Sequence, residues 1–83
     1  MARVLFFGKL GDLAGGRARD ISLGAQDKTV SALVDVIAEE DSVLAETLKE
    51  ISIRCVVNEE MAGLATAISN DDEIAFLPPV SGG

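Results

Sequence analysis

Apolar and polar positions alternate with the period of a β-strand in several parts of the chain. Residues 3–8 are rich in β-forming side chains and end at a glycine, and residues 17–23 and 51–57 alternate between the two classes. Glu73–Leu77 follows a turn-forming Asn-Asp-Asp sequence. The pattern predicts four strands, of which the first two form a hairpin around a short helical turn that ends at Gly15.

Helical spacing replaces the alternation between the second and third predicted strands. Thr29 is a suitable N-cap for a helix over Val30–Glu40, whose apolar positions recur at intervals of three and four, and a second helix begins at Ser42. Residues 58–60 suggest a turn, and residues 61–68 leave room for a short strand and an irregular crossover. The order β, β, α, β, (β), β predicts an α+β fold: a small mixed sheet with one main helix packed on one face.

Length and composition indicate one domain with an aliphatic core. The chain has 83 residues, is 48% hydrophobic, and contains no Trp, no Tyr and three Phe. One core of modest size fits this length. We expect the domain to occupy residues 1–77 and to be followed by an extended tail over residues 78–83.

Charge and the reactive side chains exclude several classes of function. Seven basic and 14 acidic residues give a net charge of −7, which disfavours nucleic-acid binding. The absence of His removes His-based catalysis and the commonest transition-metal ligand. A single cysteine suits a reducing compartment, and no apolar run is long enough to cross a membrane or to serve as a signal peptide. We therefore expect a cytoplasmic location.

The C-terminal sequence carries the strongest functional signal. Pro78 and Pro79 cannot continue a strand ladder and stiffen the backbone, so they should aim the following residues away from the sheet. Six extended residues reach at most about 20 Å. Gly82 and Gly83 lack a Cβ and therefore fit a narrow channel. A merely disordered end is the plain alternative, although such an end would not require a rigid spacer.

Several segments resemble the small subunits of molybdopterin synthase, the MoaD-like sulfur carriers. The resemblance covers essentially the whole chain, and its most specific part is the ending Pro-Pro-Val-Ser-Gly-Gly. It includes the opening Val-Leu-Phe-Phe-Gly at residues 4–8 and Val-Val-Asn at residues 56–58. The chain departs from the family at residues 70–73, where Asn-Asp-Asp-Glu replaces the common Asp-Gly-Asp-Glu.

The resemblance implies a ubiquitin-like β-grasp fold and a role as a sulfur carrier. In this family an E1-like activating enzyme uses ATP to adenylate the terminal glycine, here Gly83, and a sulfurtransferase supplies the sulfur that converts it to a thiocarboxylate. The tail then enters the large synthase subunit, in a heterotetramer, and donates sulfur to cyclic pyranopterin monophosphate. The resemblance places the catalytic residues on the large subunit and implies no bound cofactor in this chain. The tail residues that would position Gly83 are Pro78, Pro79, Val80, Ser81 and Gly82.

Strand parity adds a candidate docking surface. Phe7 and Leu77 should face away from the main helix, and apolar side chains on the open face of a small sheet suggest a partner interface. We expect Phe7, Met61 and Leu77 to form it; incidental exposure is the plain alternative. Cys55 alternates with core positions and is expected to be structural. The acidic runs lack the spacing of a metal site and are expected to be solvated turns.

Three other functions remain open at this stage. A ubiquitin-like protein modifier also begins with adenylation of a terminal glycine, and the thiamine-pathway sulfur carrier shares the Gly-Gly ending. A non-covalent binding domain would leave the tail dispensable. The approach Phe76-Leu77-Pro78-Pro79 favours the molybdopterin branch over the thiamine branch.

Overall fold

The computed structural model describes residues 1–79 of the chain. Within that range, five strands form one mixed sheet in the order β2-β1-β5-β3-β4. Three helices lie between the strands. The elements in chain order are β1 (Ala2–Phe6), α1 (Lys9–Ala14), β2 (Ala18–Ile21), α2 (Val30–Glu40), α3 (Ser42–Leu48), β3 (Arg54–Val57), β4 (Glu60–Ala62) and β5 (Glu73–Leu77).

The first and last strands lie side by side at the centre of the sheet. β1 and β5 are parallel, with Phe6 opposite Phe76, whereas every other neighbouring pair is antiparallel. β2, which forms a hairpin with β1, flanks this central pair on one side, β3 and β4 flank it on the other, and the helices cover one face. This arrangement has the mixed sheet and the helix-covered face that the sequence pattern predicts, and it is the ubiquitin-like β-grasp fold that the family resemblance implies.

The main helix follows its prediction at both ends. The Thr29 hydroxyl accepts a hydrogen bond from the Ala32 N–H at 3.1 Å, which caps α2 at its first turn. The apolar stripe of α2 is buried, and α3 follows directly, with the Asp41 carboxylate accepting from the Leu44 N–H at 3.0 Å. The short connection between α2 and α3 keeps both helices on the same face of the sheet.

The core is aliphatic apart from one pair of stacked rings. Phe6 and Phe76 lie on the adjacent central strands with ring centroids 6.1 Å apart. The Arg19 guanidinium carbon lies 5.8 Å from the Phe6 ring centroid, and Arg19 also donates to the Ala14 carbonyl at 2.9 Å. The largest fully buried side chains are those of Val4, Val30, Leu33, Val34, Ile37, Leu44 and Ile74 together with the two rings.

The strand bounds differ from the predicted ones, most clearly in the third strand. Residues 51–53 lie outside β3, and Ile51 is fully exposed rather than in line with Cys55. The Glu50 N–H donates to the Thr47 carbonyl and the Ile53 N–H to the Glu50 carbonyl, so local turns occupy this backbone. The first two strands are also shorter than predicted, ending before Phe7 and before Ser22.

The turn predicted over residues 58–60 is shorter, because Glu60 opens β4. Asn58 and Glu59 both have positive φ, 50° and 71°, as a two-residue turn between paired Val57 and Glu60 requires. The following residues form the predicted irregular crossover. It is tied to the start of α2, where the Val30 N–H donates to the Thr66 carbonyl.

Candidate functional site

The face of the sheet opposite the helices carries an apolar row that crosses all five strands. The register places Leu5 between Ala18 and Ala75, and places Val56 between Ala75 and Met61. Because these positions alternate with buried core residues, their side chains point away from the helical layer. The cross-strand row therefore consists of Ala18, Leu5, Ala75, Val56 and Met61.

Phe7 and Leu77 lie together beside this row, at the end of the sheet from which the tail leaves. The Phe7 N–H donates to the Phe76 carbonyl at 3.0 Å, which holds Phe7 beside the end of β5. Phe7 is 47% exposed and Leu77 is half-buried. Met61 is 66% exposed but lies on the edge strand β4, two strands away from β5. The three predicted docking residues thus share a face, and only two of them are adjacent.

Sequence reasoning missed the middle of this surface. Leu5, Val56 and Ala75 connect Met61 to the central strands, yet each is flanked by core residues in the sequence. Strand parity already places them on the open face. The order of the strands, which the sequence does not display, is needed to show that they form a continuous row.

The tail leaves the sheet against the turn that follows β1. A Cβ added to Gly8 would lie 3.0 Å from Cγ of Pro78, and Gly8 has a φ of 55°. Both the contact and the backbone angle favour glycine at this position. Pro78 is half-buried there, while Pro79 is exposed. The predicted roles of Val80, Ser81, Gly82 and Gly83 concern residues outside the described range and remain predictions.

Cys55 lies in the core, as predicted. Its neighbours across the sheet are Phe76 on β5 and Ala62 on β4. Burial raises the pKa of the Cys55 thiol from 9.0 to about 11. The thiol is therefore neutral at physiological pH and a weak nucleophile.

The acidic turn before β5 has a structural role. The Asn58 amide donates to the Asp72 carboxylate at 2.7 Å, and the Ser69 N–H donates to the same carboxylate at 2.7 Å. These hydrogen bonds lower the pKa of Asp72, and the one from Asn58 has the largest effect. Within residues 1–79, no three acidic or thiol side chains are grouped so as to hold a metal ion. No helix in that part of the chain is long and apolar enough to span a membrane.

Structures of other proteins share this fold over nearly their whole length. SAMP1 from Haloferax volcanii has a TM-score of 0.85 and 28% identity, covering 99% of this chain and 98% of that chain. A complex of subunits 1 and 2 of molybdopterin-converting factor from Helicobacter pylori contains a chain with a TM-score of 0.65 and 26% identity, covering 99% of this chain and 97% of its own.

Sequence comparison gives the family. A model of the ThiS family matches residues 4–83. The molybdopterin synthase sulfur carrier subunits of Escherichia coli (strain K12) and Haemophilus influenzae are 32% and 35% identical to this chain, over 100% of both proteins in each case. With a family match over nearly every residue and two relatives above 30% identity at full length, the chain belongs to the ThiS family.

Proposed function

We propose that this protein is the sulfur carrier subunit of a molybdopterin synthase. The observation that carries the proposal is its full-length similarity to two sulfur carrier subunits of that enzyme. The family match extends through Gly83, the residue that would carry the sulfur. Its substrate would be cyclic pyranopterin monophosphate, which acquires the two dithiolene sulfurs of molybdopterin in two deliveries.

The carboxylate of Gly83 requires activation before it can accept sulfur. A carboxylate oxygen attacks the α-phosphorus of ATP in the adenylating enzyme, which releases pyrophosphate and gives an acyl adenylate. The outer sulfur of a sulfurtransferase persulfide then attacks the acyl carbon and displaces AMP. A thiol reductant cleaves the S–S bond of the resulting acyl disulfide, and the chain is left with a thiocarboxylate. When the sulfur passes to the pterin substrate, water supplies the oxygen that restores the carboxylate. No side chain of this protein is required for these steps.

Docking on the large synthase subunit uses the open face beside the tail. Phe7 and Leu77 lie at the base of the tail, so a partner that covers them also receives the residues that follow Pro79. The assembly of subunits 1 and 2 in the related Helicobacter pylori complex supports a large-subunit partner. Gly82 and Gly83 offer the clearance that a narrow channel requires.

The catalytic acid–base residues belong to the partner in this proposal. This chain contains no His, and burial keeps the Cys55 thiol neutral. We assign the activity to the cytoplasm, since a single unpaired cysteine suits a reducing compartment.

Intact mass measurement tests the proposal. The chain is incubated with an adenylating enzyme, ATP and a sulfur donor, with omission of ATP as the control. We expect a mass increase equal to the replacement of one oxygen atom by sulfur, confined to the C-terminal peptide. An unchanged mass with an activating enzyme that loads a related carrier would contradict the proposal.

A second candidate function is protein modification through the same glycine. It is favoured by the structural similarity to SAMP1, a small archaeal modifier protein. The same incubation, extended to a lysate, distinguishes the two functions. Conjugates of higher mass linked through Gly83 to lysine side chains would indicate a modifier, whereas sulfur loading without conjugates supports the carrier function alone. Sulfur transfer to the thiamine precursor rather than the pterin would indicate the thiamine branch.

A further inference from the structure

The base of the tail lies against the one residue of the β1–α1 turn that has no side chain. A Cβ added to Gly8 would lie 3.0 Å from Cγ and 3.7 Å from Cδ of Pro78, and within residues 1–79 it would have no other close neighbour beyond the adjacent residues. Pro78 is half-buried in this position, whereas Pro79 is exposed. The absence of a side chain at Gly8 thus leaves a seat for the Pro78 ring.

The backbone of Gly8 is held on both sides of the seat. The Phe7 N–H donates to the Phe76 carbonyl at 3.0 Å, and the Gly8 carbonyl accepts from the Gly11 N–H at 3.1 Å. Gly8 is the N-cap of α1, with a φ of 55° and a ψ of −135°, a combination that residues with a Cβ rarely adopt. Because carbon atoms in ordinary contact lie about 3.5–4.0 Å apart, a methyl group on residue 8 would have to displace the Pro78 ring.

Packing, and not hydrogen bonding, sets where the Pro78 ring lies. β5 ends at Leu77, and a proline has no N–H with which to extend the strand ladder. Between the described residues 1–79, no backbone hydrogen bond outside the helices and strands includes Pro78. The contact with Gly8 is therefore part of what fixes the first residue of the tail.

We propose that Gly8 is a positioning residue for sulfur transfer, which acts by seating Pro78 and so setting the direction in which the tail leaves the sheet. This inference rests on the proposed carrier function, because it concerns delivery of the sulfur carried by Gly83. The tail begins at Pro78, so a displacement of its ring is passed on to every residue up to Gly83. A misplacement of about 1 Å at a reacting group can slow a reaction by about 100-fold.

Aiming of the tail and docking of the domain are separable. Phe7 and Leu77 provide the apolar surface beside the tail, and Gly8 has no side chain with which to add to it. Loss of the seat should therefore slow transfer within the bound complex and leave the affinity for the large subunit unchanged. A glycine needed only for folding would instead change stability, with no effect on transfer by the folded protein.

Single-turnover transfer from the thiocarboxylated chain to cyclic pyranopterin monophosphate, at saturating large subunit, tests the inference. Gly8→Ala is compared with Gly15→Ala, the matched control, because Gly15 also has a positive φ, 79°, but an added Cβ there would have no neighbour within 4 Å. We expect Gly8→Ala to lower the transfer rate constant about tenfold. Its affinity for the large subunit should stay close to that of wild type, and Gly15→Ala should change neither quantity.

Pro78→Ala is the second variant, because it removes the ring from the seat and leaves Gly8 as it is. On its own it should also slow transfer without weakening binding. Combined with Gly8→Ala it should cause no further loss, since the added methyl group then has no ring to displace. The two substitutions should therefore be non-additive. Circular dichroism checks that every variant is folded.

The inference is wrong if folded Gly8→Ala transfers sulfur as fast as wild type, if its loss is confined to binding, or if its effect and that of Pro78→Ala multiply. If Gly8→Ala does not fold, Pro78→Ala decides alone, and a wild-type transfer rate in that variant shows that the seat has no role. Each of these results leaves the carrier function standing, provided that wild type accepts and transfers sulfur. If wild type accepts no sulfur, the proposed function fails, and the inference fails with it.

Discussion

Cys55 faces the helical layer from β3, between Phe76 and Ala62. Its thiol is the one sulfur nucleophile in the sequence, so a sulfur carrier invites the hypothesis of a persulfide at this position. Burial opposes that role, since it raises the thiol pKa to about 11 and limits access by a sulfur donor. The residue is better explained as a small apolar side chain of the hydrophobic core.

We expect Cys55→Ala to lower the free energy of unfolding by about 1 kcal/mol, because a small buried group is lost. It should still accept sulfur at the C-terminus, as measured by intact mass. Obligatory sulfur on Cys55 before the C-terminus is loaded would contradict this.

The raised pKa of the Cys55 thiol predicts how the stability of the protein changes with pH. The folded thiol ionises near pH 11 and the unfolded one near pH 9, so wild type should lose stability relative to Cys55→Ala as the pH rises from about 9 to 11. Denaturant unfolding of both proteins across that range measures the difference. If the stabilities of wild type and Cys55→Ala change with pH in the same way, the Cys55 thiol is not shielded from solvent.

At the scale of elements, the acidic turn before β5 sets the start of the central strand. The Glu73 N–H donates to the Asn58 side chain at 2.9 Å, while Asp72 accepts from Asn58 and from Ser69. The turn therefore links the end of β3 to the start of β5 through side chains. The Asp72 carboxylate must be ionised to accept both of these hydrogen bonds.

Asp72→Ala should destabilise the fold by about 1 kcal/mol at neutral pH through the loss of these hydrogen bonds. The pKa of Asp72 is lower in the folded protein than its ordinary value of 3.8, so its contribution is present above that value and disappears as the pH falls through the folded pKa. Thermal unfolding at pH 7 and at low pH measures both effects. If Asp72→Ala and wild type differ in stability by the same amount at both pH values, the stabilising role of the ionised Asp72 carboxylate is contradicted.

The open face makes a separate prediction about docking. Phe7→Asp and Leu77→Glu would each bury an unpartnered charge in the interface, so each should weaken binding to the large subunit by at least about tenfold. Met61→Asp reports whether docking reaches the far end of the cross-strand row. Val43→Asp is the matched control, because Val43 is exposed on α3, an element of the helical layer.

Isothermal titration calorimetry gives the affinities, and circular dichroism tests the fold of each variant. If Phe7→Asp and Leu77→Glu bind as wild type does, the docking surface lies elsewhere. If they unfold while Val43→Asp does not, the two side chains contribute to the core.

The sequence predicts individual helices and strands better than it predicts which strands are neighbours in the sheet. Thr29 and the apolar stripe of α2 define the main helix because a cap and a 3.6-residue period are local properties. Alternation at Ile51 and Ile53 wrongly suggested a longer β3, because turns after α3 use that backbone. The row from Leu5 to Met61 depends on strand order, which is fixed by contacts between distant parts of the chain.

At the scale of the whole molecule, the fold places two features at one end of the sheet. The tail leaves there beside Gly8, and Phe7 and Leu77 provide apolar surface next to it. The acidic turns lie at the other end of β5. An approaching partner therefore meets apolar surface at the point where the tail leaves the sheet.

The central claim is that Gly83 carries sulfur to the pterin substrate, and single-turnover transfer tests it most directly. The thiocarboxylated chain is mixed with the large subunit and cyclic pyranopterin monophosphate, and the mass of the chain and the sulfur content of the pterin are followed together. We predict that the chain returns to its carboxylate mass at the rate at which the pterin gains sulfur. A variant that lacks Gly83 should stay folded, bind the large subunit and transfer no sulfur. Full transfer by that variant, or sulfur gain by the pterin while the chain keeps its thiocarboxylate, would contradict the claim.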